Sequence, residues 1–215
     1  MIIDRLRSTA APRRALLAAA TTLLLCSLTA QAAPLSLGAT APLATTKMKN
    51  LDGKSLSIAD VAGKKGTLVV FTCNHCPFAK AWQQRITELG NTYSAKGIGV
   101  ILVNANDPVA YPEDGLAEMQ ARAKQLGLKV PYVVDETSEV ARAFGATVTP
   151  EAFLFGADGK LAYHGTIDDN RSEPDKVQKR YLKDALEAVL AGKAPAAGET
   201  KSLGCGIKYR APRAN

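Results

Sequence analysis

Two cysteines three positions apart, in Phe71-Thr-Cys-Asn-His-Cys-Pro77, are the residues in this sequence best placed to do chemistry. Two intervening residues let the thiols of Cys73 and Cys76 approach each other where a helix begins, and the unpaired N–H groups of a first helical turn stabilise a thiolate. On this pattern Cys73 is expected at the more exposed end, attacking a substrate disulfide. Cys76 is expected to resolve the mixed disulfide by intramolecular attack. His75 lies inside the motif, where its ring either lowers the cost of thiolate formation or simply orients the loop. Pro77 suits the first helical turn, because the N–H it lacks would have no partner there. The spacing also serves as half of a zinc site, but no second pair at metal-binding spacing follows. Redox chemistry therefore leads, ahead of a structural bridge.

The surrounding sequence supplies elements able to hold this motif. Residues 67–72 form the compact apolar run that a buried parallel strand requires. After the motif, Phe78, Trp82, Ile86, Leu89 and Tyr93 recur at helical spacing, so one helix face covers a sheet. That aromatic stripe reads as core packing, not as a cofactor box. Residues 98–103 predict a second buried strand, 113–126 a helix closed by Gly127, 131–134 a short strand, and 137–144 a short helix before Gly145. Thr149-Pro150 introduces a strand over 151–155, which Asp158-Gly159 turns back into 160–164 as a hairpin. A last helix is expected over 174–190, with Val177, Tyr181, Ala185 and Val189 facing inward. Residues 35–65 read as an irregular lead-in or small hairpin around Asp52-Gly53. This order of elements predicts an α/β fold with a central mixed sheet flanked by helices.

At the N terminus, Arg5, Arg7, Arg13 and Arg14 accompany an apolar run over 15–25 and the small-residue pattern Ala30-Gln31-Ala32. This is the layout of a secretory signal peptide over residues 1–32, and its apolar run falls short of the roughly 20 residues that cross a bilayer. Its removal leaves 183 residues and takes the formal charge from +7 to +4, so much of the apparent basicity belongs to the leader. The remaining Lys and Arg are interleaved with acids, without the basic aromatic platform that nucleic acid requires. A periplasmic or other extracytoplasmic location is expected, with no stable membrane anchor. Such a compartment permits disulfides. The expected domain covers 33–192, followed by a linker and docked C-terminal tail over 193–215. The mature chain keeps Cys73, Cys76 and Cys205, an odd number that argues against a purely structural disulfide scaffold. Cys205, between Gly204 and Gly206, is open to several roles: a disulfide with Cys73 or Cys76, protection of the motif, electron relay, a bridge to another chain, or none.

Five segments carry a resemblance: Phe71-Thr-Cys-Asn-His-Cys-Pro77, Asn104-Ala-Asn-Asp107, Gly145-Ala-Thr-Val-Thr-Pro150, Gly165-Thr-Ile-Asp-Asp169 and Gly204-Cys-Gly-Ile-Lys-Tyr209. Through them the chain, from about Leu37 to Tyr209, resembles the thioredoxin superfamily. More narrowly, it is similar to the exported peroxiredoxin-like and thioredoxin-like proteins of the alkyl hydroperoxide reductase/thiol-specific antioxidant class. The resemblance implies a thioredoxin-like fold with an N-terminal extension and a cysteine-containing tail. It also implies Cys73 as nucleophile, Cys76 as resolver, and Pro150 as a cis proline that, with Thr149, guides a peptide substrate. The implied activity is thiol-disulfide exchange on protein or small-thiol disulfides, with a separate redox partner and without nicotinamide, flavin or haem. Two departures stand out. Thr149 occupies a position where many relatives carry cysteine, offering a hydroxyl instead of a thiol. The peroxidase pattern Pro-x-x-x-Thr/Ser-x-x-Cys meets Gly66 and Val70 before Cys73, and Val69 and Cys73 before Cys76, which leaves a weak thiol peroxidase as an alternative. His164, with Asp168 and Asp169 close behind, reads as a satisfied structural residue. The competing reading is a copper-binding protein, with His164 or His75 joining Cys73 and Cys76 around a soft ion such as Cu(I).

Overall fold

The computed structural model describes residues 35–211; the expected leader over 1–32 lies outside them. At the centre of the sheet, β3 (Gly66–Phe71), β4 (Gly99–Asn104) and β5 (Tyr132–Val134) run parallel. The hairpin of β7 (Glu151–Gly156) and β8 (Leu161–Gly165) adds antiparallel beside β3. The small hairpin of β1 (Met48–Asn50) and β2 (Ser55–Leu56) adds antiparallel beside β5. The resulting order is β2-β1-β5-β4-β3-β7-β8.

A strand covered on both faces must be apolar at every position, and all six residues of β3 are buried. Leu68 and Val70 point to one face, where α1 (Pro77–Ser94), Met119 of α2 (Leu116–Leu126), and α4 (Tyr181–Leu190) pack. Val69 and Phe71 point to the other, toward α3 (Glu139–Phe144) and the lead-in residues Met48 and Ile58. There Phe71, Phe144 and Phe153 make mutual edge-to-face contacts, with ring centroids 5.2 to 5.7 Å apart. Together these layers form a thioredoxin-like α/β fold.

Two helix starts differ from the sequence expectation. The helix expected from 113 begins at Leu116, because Pro112–Asp114 closes as a separate 3-10 turn and Gly115 is extended. The helix expected from 174 begins at Tyr181. Pro174–Lys176 again forms its own short turn, and Val177 is extended and half-buried. The following backbone is tied to the 168–169 turn instead of to itself: Asp169 N–H donates to Lys179 O at 3.1 Å, and Gln178 N–H donates to Asp169 Oδ1 at 3.0 Å.

The tail docks in two steps. His164 N–H donates to Gly198 O at 2.9 Å and Thr200 N–H to His164 O at 3.0 Å, laying the chain along β8. Then β9 (Cys205–Gly206) pairs antiparallel with β6 (Val148–Thr149), placing Cys205 opposite Thr149 and Gly206 opposite Val148. Ile207 N–H continues the contact with Thr147 O at 2.9 Å. The Thr149–Pro150 peptide bond, between β6 and β7, is cis.

Candidate active site

Strand β3 carries the chain to the motif, and Thr72 N–H extends its register by donating to Val103 O at 2.9 Å. Helix α1 starts with Pro77 at its first position, which makes Cys76 the extended N-cap residue. Its carbonyl accepts the first helical hydrogen bond, from Lys80 N–H at 2.9 Å. Cys73 lies three residues before the cap. Its expected exposure is not found: Cys73 and Cys76 are both fully buried, and Cys205 of the tail packs beside them. Cys205 is the half-buried thiol of the three, packed with Phe78 against Cys73, Cys76 and Ala79. All three are free thiols.

Thr149 joins the pair through both of its oxygens. Its hydroxyl lies 3.0 Å from Cys73 Sγ, and its carbonyl accepts from the Cys76 thiol at 3.3 Å. The two thiols are driven apart in acidity. The thiol–thiol contact with Cys76 holds the proton on Cys73, and burial and the carboxylate of Asp114 push the same way, so its pKa is raised. For Cys76 the contact with Cys73 lowers the pKa, assisted by the Cys205 thiol and by the backbone N–H groups of Ala79 and Cys205, against the effect of burial. Of the two, the helix-cap residue is the one pushed toward higher acidity. Cys205 is itself raised, first by burial and then by Cys76.

Asp114 was not singled out in the sequence, yet it organises the loop between the cysteines. One carboxylate oxygen accepts from Asn74 N–H at 2.6 Å and His75 N–H at 3.3 Å. The other takes His75 Nδ1 at 2.5 Å and Asn106 Nδ2 at 2.9 Å. The His75 ring also stacks on Tyr111, with centroids 4.1 Å apart. His75 is thus held as part of the loop scaffold. A separation of 39 positions between His75 and Asp114 carries no spacing signal that would link them. The only cue was an acidic residue just before a helix, which ordinarily reads as a helix-start preference.

His164 does not join the cysteines. Its Nε2 meets Glu151 Oε1 at 2.7 Å, and its ring stacks on Phe153 at 4.4 Å. The other oxygen of Glu151 accepts from Thr147 N–H at 2.7 Å and Val148 N–H at 3.2 Å, so the pair fixes the approach to β6. The ligand set Cys73, Cys76 and His164 is therefore corrected. Among the described residues, the donor atoms that converge within 4.8 Å belong to Cys73, His75 and Asp114. That set holds one sulfur for a soft ion, and its imidazole Nδ1 is engaged by its carboxylate. Asp168 is likewise structural, accepting from Trp82 Nε1 at 2.8 Å and Arg85 at 2.5 Å. No helix among the described residues is long and apolar enough to cross a membrane.

The chain is similar to known proteins in sequence and in fold. The Redoxin family model matches residues 36–180. The chain is 29% identical over 135 residues to the thiol-disulfide oxidoreductase ResA of Bacillus thuringiensis subsp. konkukian, covering 62% of this chain and 70% of that protein. Among solved structures, it is 37% identical to an uncharacterized conserved protein from Geobacillus kaustophilus, with a TM-score of 0.76 over 81% of this chain and 93% of that one. A hypothetical protein from Sinorhizobium meliloti is 33% identical, with a TM-score of 0.77 over 83% of this chain and 97% of that one. A thioredoxin-like protein solved in its oxidized form, 20% identical, shares the fold with a TM-score of 0.59 over 74% of this chain and 99% of that one. The chain belongs to the Redoxin family, as a thioredoxin-like enzyme whose thiol-disulfide redox chemistry is carried by cysteine.

Proposed function

We propose that the protein is an extracytoplasmic dithiol-disulfide oxidoreductase working through Cys73 and Cys76, with Cys76 as the attacking thiolate and Cys73 as the resolving thiol. This reverses the order expected from the sequence. The observation that carries it is the placement of Cys76 at the N-cap of an 18-residue helix, while Cys73 sits buried against Thr149 and faces Asp114. Similarity to ResA proteins, named thiol-disulfide oxidoreductases, supports the reaction class.

In the cycle, the Cys76 thiolate attacks one sulfur of a substrate disulfide, and the substrate's other sulfur leaves as a thiolate and takes a proton. Cys73 then gives up its proton and attacks Cys76 Sγ. The second substrate sulfur leaves, and a Cys73–Cys76 disulfide remains with both electrons transferred to the substrate. A separate dithiol partner restores the pair. Protein or small-thiol disulfides are the substrate class, and export follows from the N-terminal leader pattern.

The test is reduction of a model peptide disulfide by the full chain and two variants. Cys76→Ser is expected to abolish attack. Cys73→Ser combined with Cys205→Ser, which leaves no neighbouring thiol to displace the adduct, is expected to retain it and accumulate a mixed disulfide on Cys76. Trapping on Cys73 in the Cys76→Ser protein, with no adduct on Cys76 in the Cys73→Ser, Cys205→Ser protein, would restore the reverse assignment. No exchange by the wild type across a wide range of redox buffers would remove the oxidoreductase reading.

A further inference from the structure

We propose that the C-terminal strand β9 is a built-in peptide substrate, whose Cys205 exchanges with Cys76 to form a second disulfide in equilibrium with Cys73–Cys76. The proposal rests on the dithiol reading above and adds a third redox state to it.

A peptide that brings a sulfur to Cys76 needs an edge on which to pair, and adding a strand to an exposed edge is the economical way to hold an extended peptide. The edge beside these thiols is β6. It is filled by the chain's own residues, with Cys205 opposite Thr149, the residue whose two oxygens contact Cys73 and Cys76. The neighbouring Gly204 permits the close approach, since a Cβ there would lie 2.2 Å from Thr149 O. The thiol of Cys205 then lands against Cys76, with the N–H of Phe78 in the first turn of α1 directed at it. The tail thus presents a sulfur to the helix cap as an incoming substrate would. A two-thiol cycle has no use for Cys205.

The exchange balances without an outside reagent. Starting from the Cys73–Cys76 disulfide, Cys205 releases its proton and its thiolate attacks Cys76 Sγ. The Cys76–Cys205 bond forms as the Cys73–Cys76 bond breaks, and the electron pair leaves on Cys73, which takes up the proton. The number of disulfides is unchanged, so nothing is oxidised or reduced overall. Burial beside Asp114 suits Cys73 to keep that proton. In the product, Cys76 is capped by the tail until a substrate thiol or a reductant displaces Cys205. The tail is then both lid and stand-in for the substrate.

The full chain is equilibrated in a glutathione redox buffer, its free thiols are alkylated, and its peptides are mapped without reduction. Both the Cys73–Cys76 and the Cys76–Cys205 linked peptides are expected from the wild type. A Cys73→Ser variant should give monomer with Cys76–Cys205 linked and Cys26 as the one cysteine left to alkylate. The proposal is overturned if Cys73→Ser instead carries glutathione on Cys76 with Cys205 free, or if the wild type shows Cys73–Cys76 alone; in either case the dithiol reading survives. Absence of both disulfides in the wild type would remove that reading and this proposal together. Because the wild-type map detects the Cys76–Cys205 link directly, the test holds even if the variant does not fold.

Discussion

Replacing Gly204 with alanine should unlatch the tail and speed the reaction of the buried thiols with an alkylating reagent. An added Cβ would meet Thr149 O at 2.2 Å, Thr149 C at 2.7 Å and Thr149 N at 3.0 Å. These are backbone atoms of a strand paired to β9, and that carbonyl also accepts the Cys76 thiol, so neither side can move without losing contacts. Forcing a methyl into such a space costs about 1–3 kcal/mol. Lifting β9 relieves the clash, so the docked state loses that much relative to the open one. At about 1.4 kcal/mol per factor of ten, the open population rises by about 5- to 150-fold. Modification of a buried group through a rapid opening tracks that population. The assay incubates the reduced full chain with excess iodoacetamide, quenches at intervals, and quantifies modification of the peptide holding Cys73 and Cys76. Gly206→Ala is the matched control, because its added Cβ would find Thr147 O at an ordinary 3.9 Å. A Gly204→Ala protein that alkylates at the wild-type rate, or no faster than Gly206→Ala, would refute the reasoning that β9 is what buries the pair.

Asp114→Asn should lower stability by about 2 kcal/mol in urea unfolding, since an amide cannot accept from all four of the donors that the carboxylate serves. The same change should move the Cys73 titration, followed by thiolate ultraviolet absorbance, to lower pH, and an unmoved titration would count against Asp114 as a source of its raised pKa. His164→Ala should cost about 2 kcal/mol by leaving one oxygen of buried Glu151 without its hydrogen-bond partner, with partial recovery in His164→Gln; equal stability of wild type and His164→Ala would reject the pair as a support for β6. Between the lowered pKa of Cys76 and the raised pKa of Cys73, reduction of their disulfide takes up one proton, so the potential should fall by about 30 mV per pH unit, not the roughly 59 mV of a two-proton couple. For stability of the reduced fold the two signs oppose: the Cys76 contribution is present above the unfolded thiol range and lost as pH falls through its lowered pKa, whereas the Cys73 contribution is present below that range and lost as pH rises through its raised one.

Much of the framework was legible because it rests on local patterns. The run at 67–72, the helical stripe from Phe78 to Tyr93 and the turn at Asp158-Gly159 each specify an element with little reference to the rest of the chain. So did Gly127 and Gly145, which sit in the left-handed conformation that ends a helix. Failures came where distant segments compete for the same backbone groups. Val177 has an inward-facing period, yet the strand-like stretch before α4 bonds to the 168–169 turn, so the helix starts later. The site followed the same division. Its cysteines, Thr149 and Pro150 were visible as a motif and a dipeptide. Asp114 and Glu151 were not, because an acid's role depends on which amides the fold delivers to it. The apolar composition of the tail signalled docking, but its register opposite Thr149 is a tertiary outcome.

The proposed order of the two thiols turns on where the helix begins, and two residues bear on that. Pro77 at the first helical position leaves Cys76 as the cap, with the N–H of Ala79 in the first turn directed at its sulfur. Had the helix begun three residues earlier, Cys73 would have been the cap and Cys76 would have lain inside the first turn. The N–H groups that such a start would have offered Cys73 are those of Asn74 and His75. Both are taken by Asp114, which binds them with one oxygen and brings negative charge toward the thiol they would have served. Asp114 therefore acts twice against a Cys73 thiolate, by withdrawing donors and by adding like charge, and the second oxygen fixes His75 so that its ring cannot swing back to compensate. Pro77, suited to a first helical position, makes Cys76 the cap, and the Asp114 carboxylate holds the N–H groups of residues 74 and 75 ahead of the helix, which is what the proposed order of the thiols rests on.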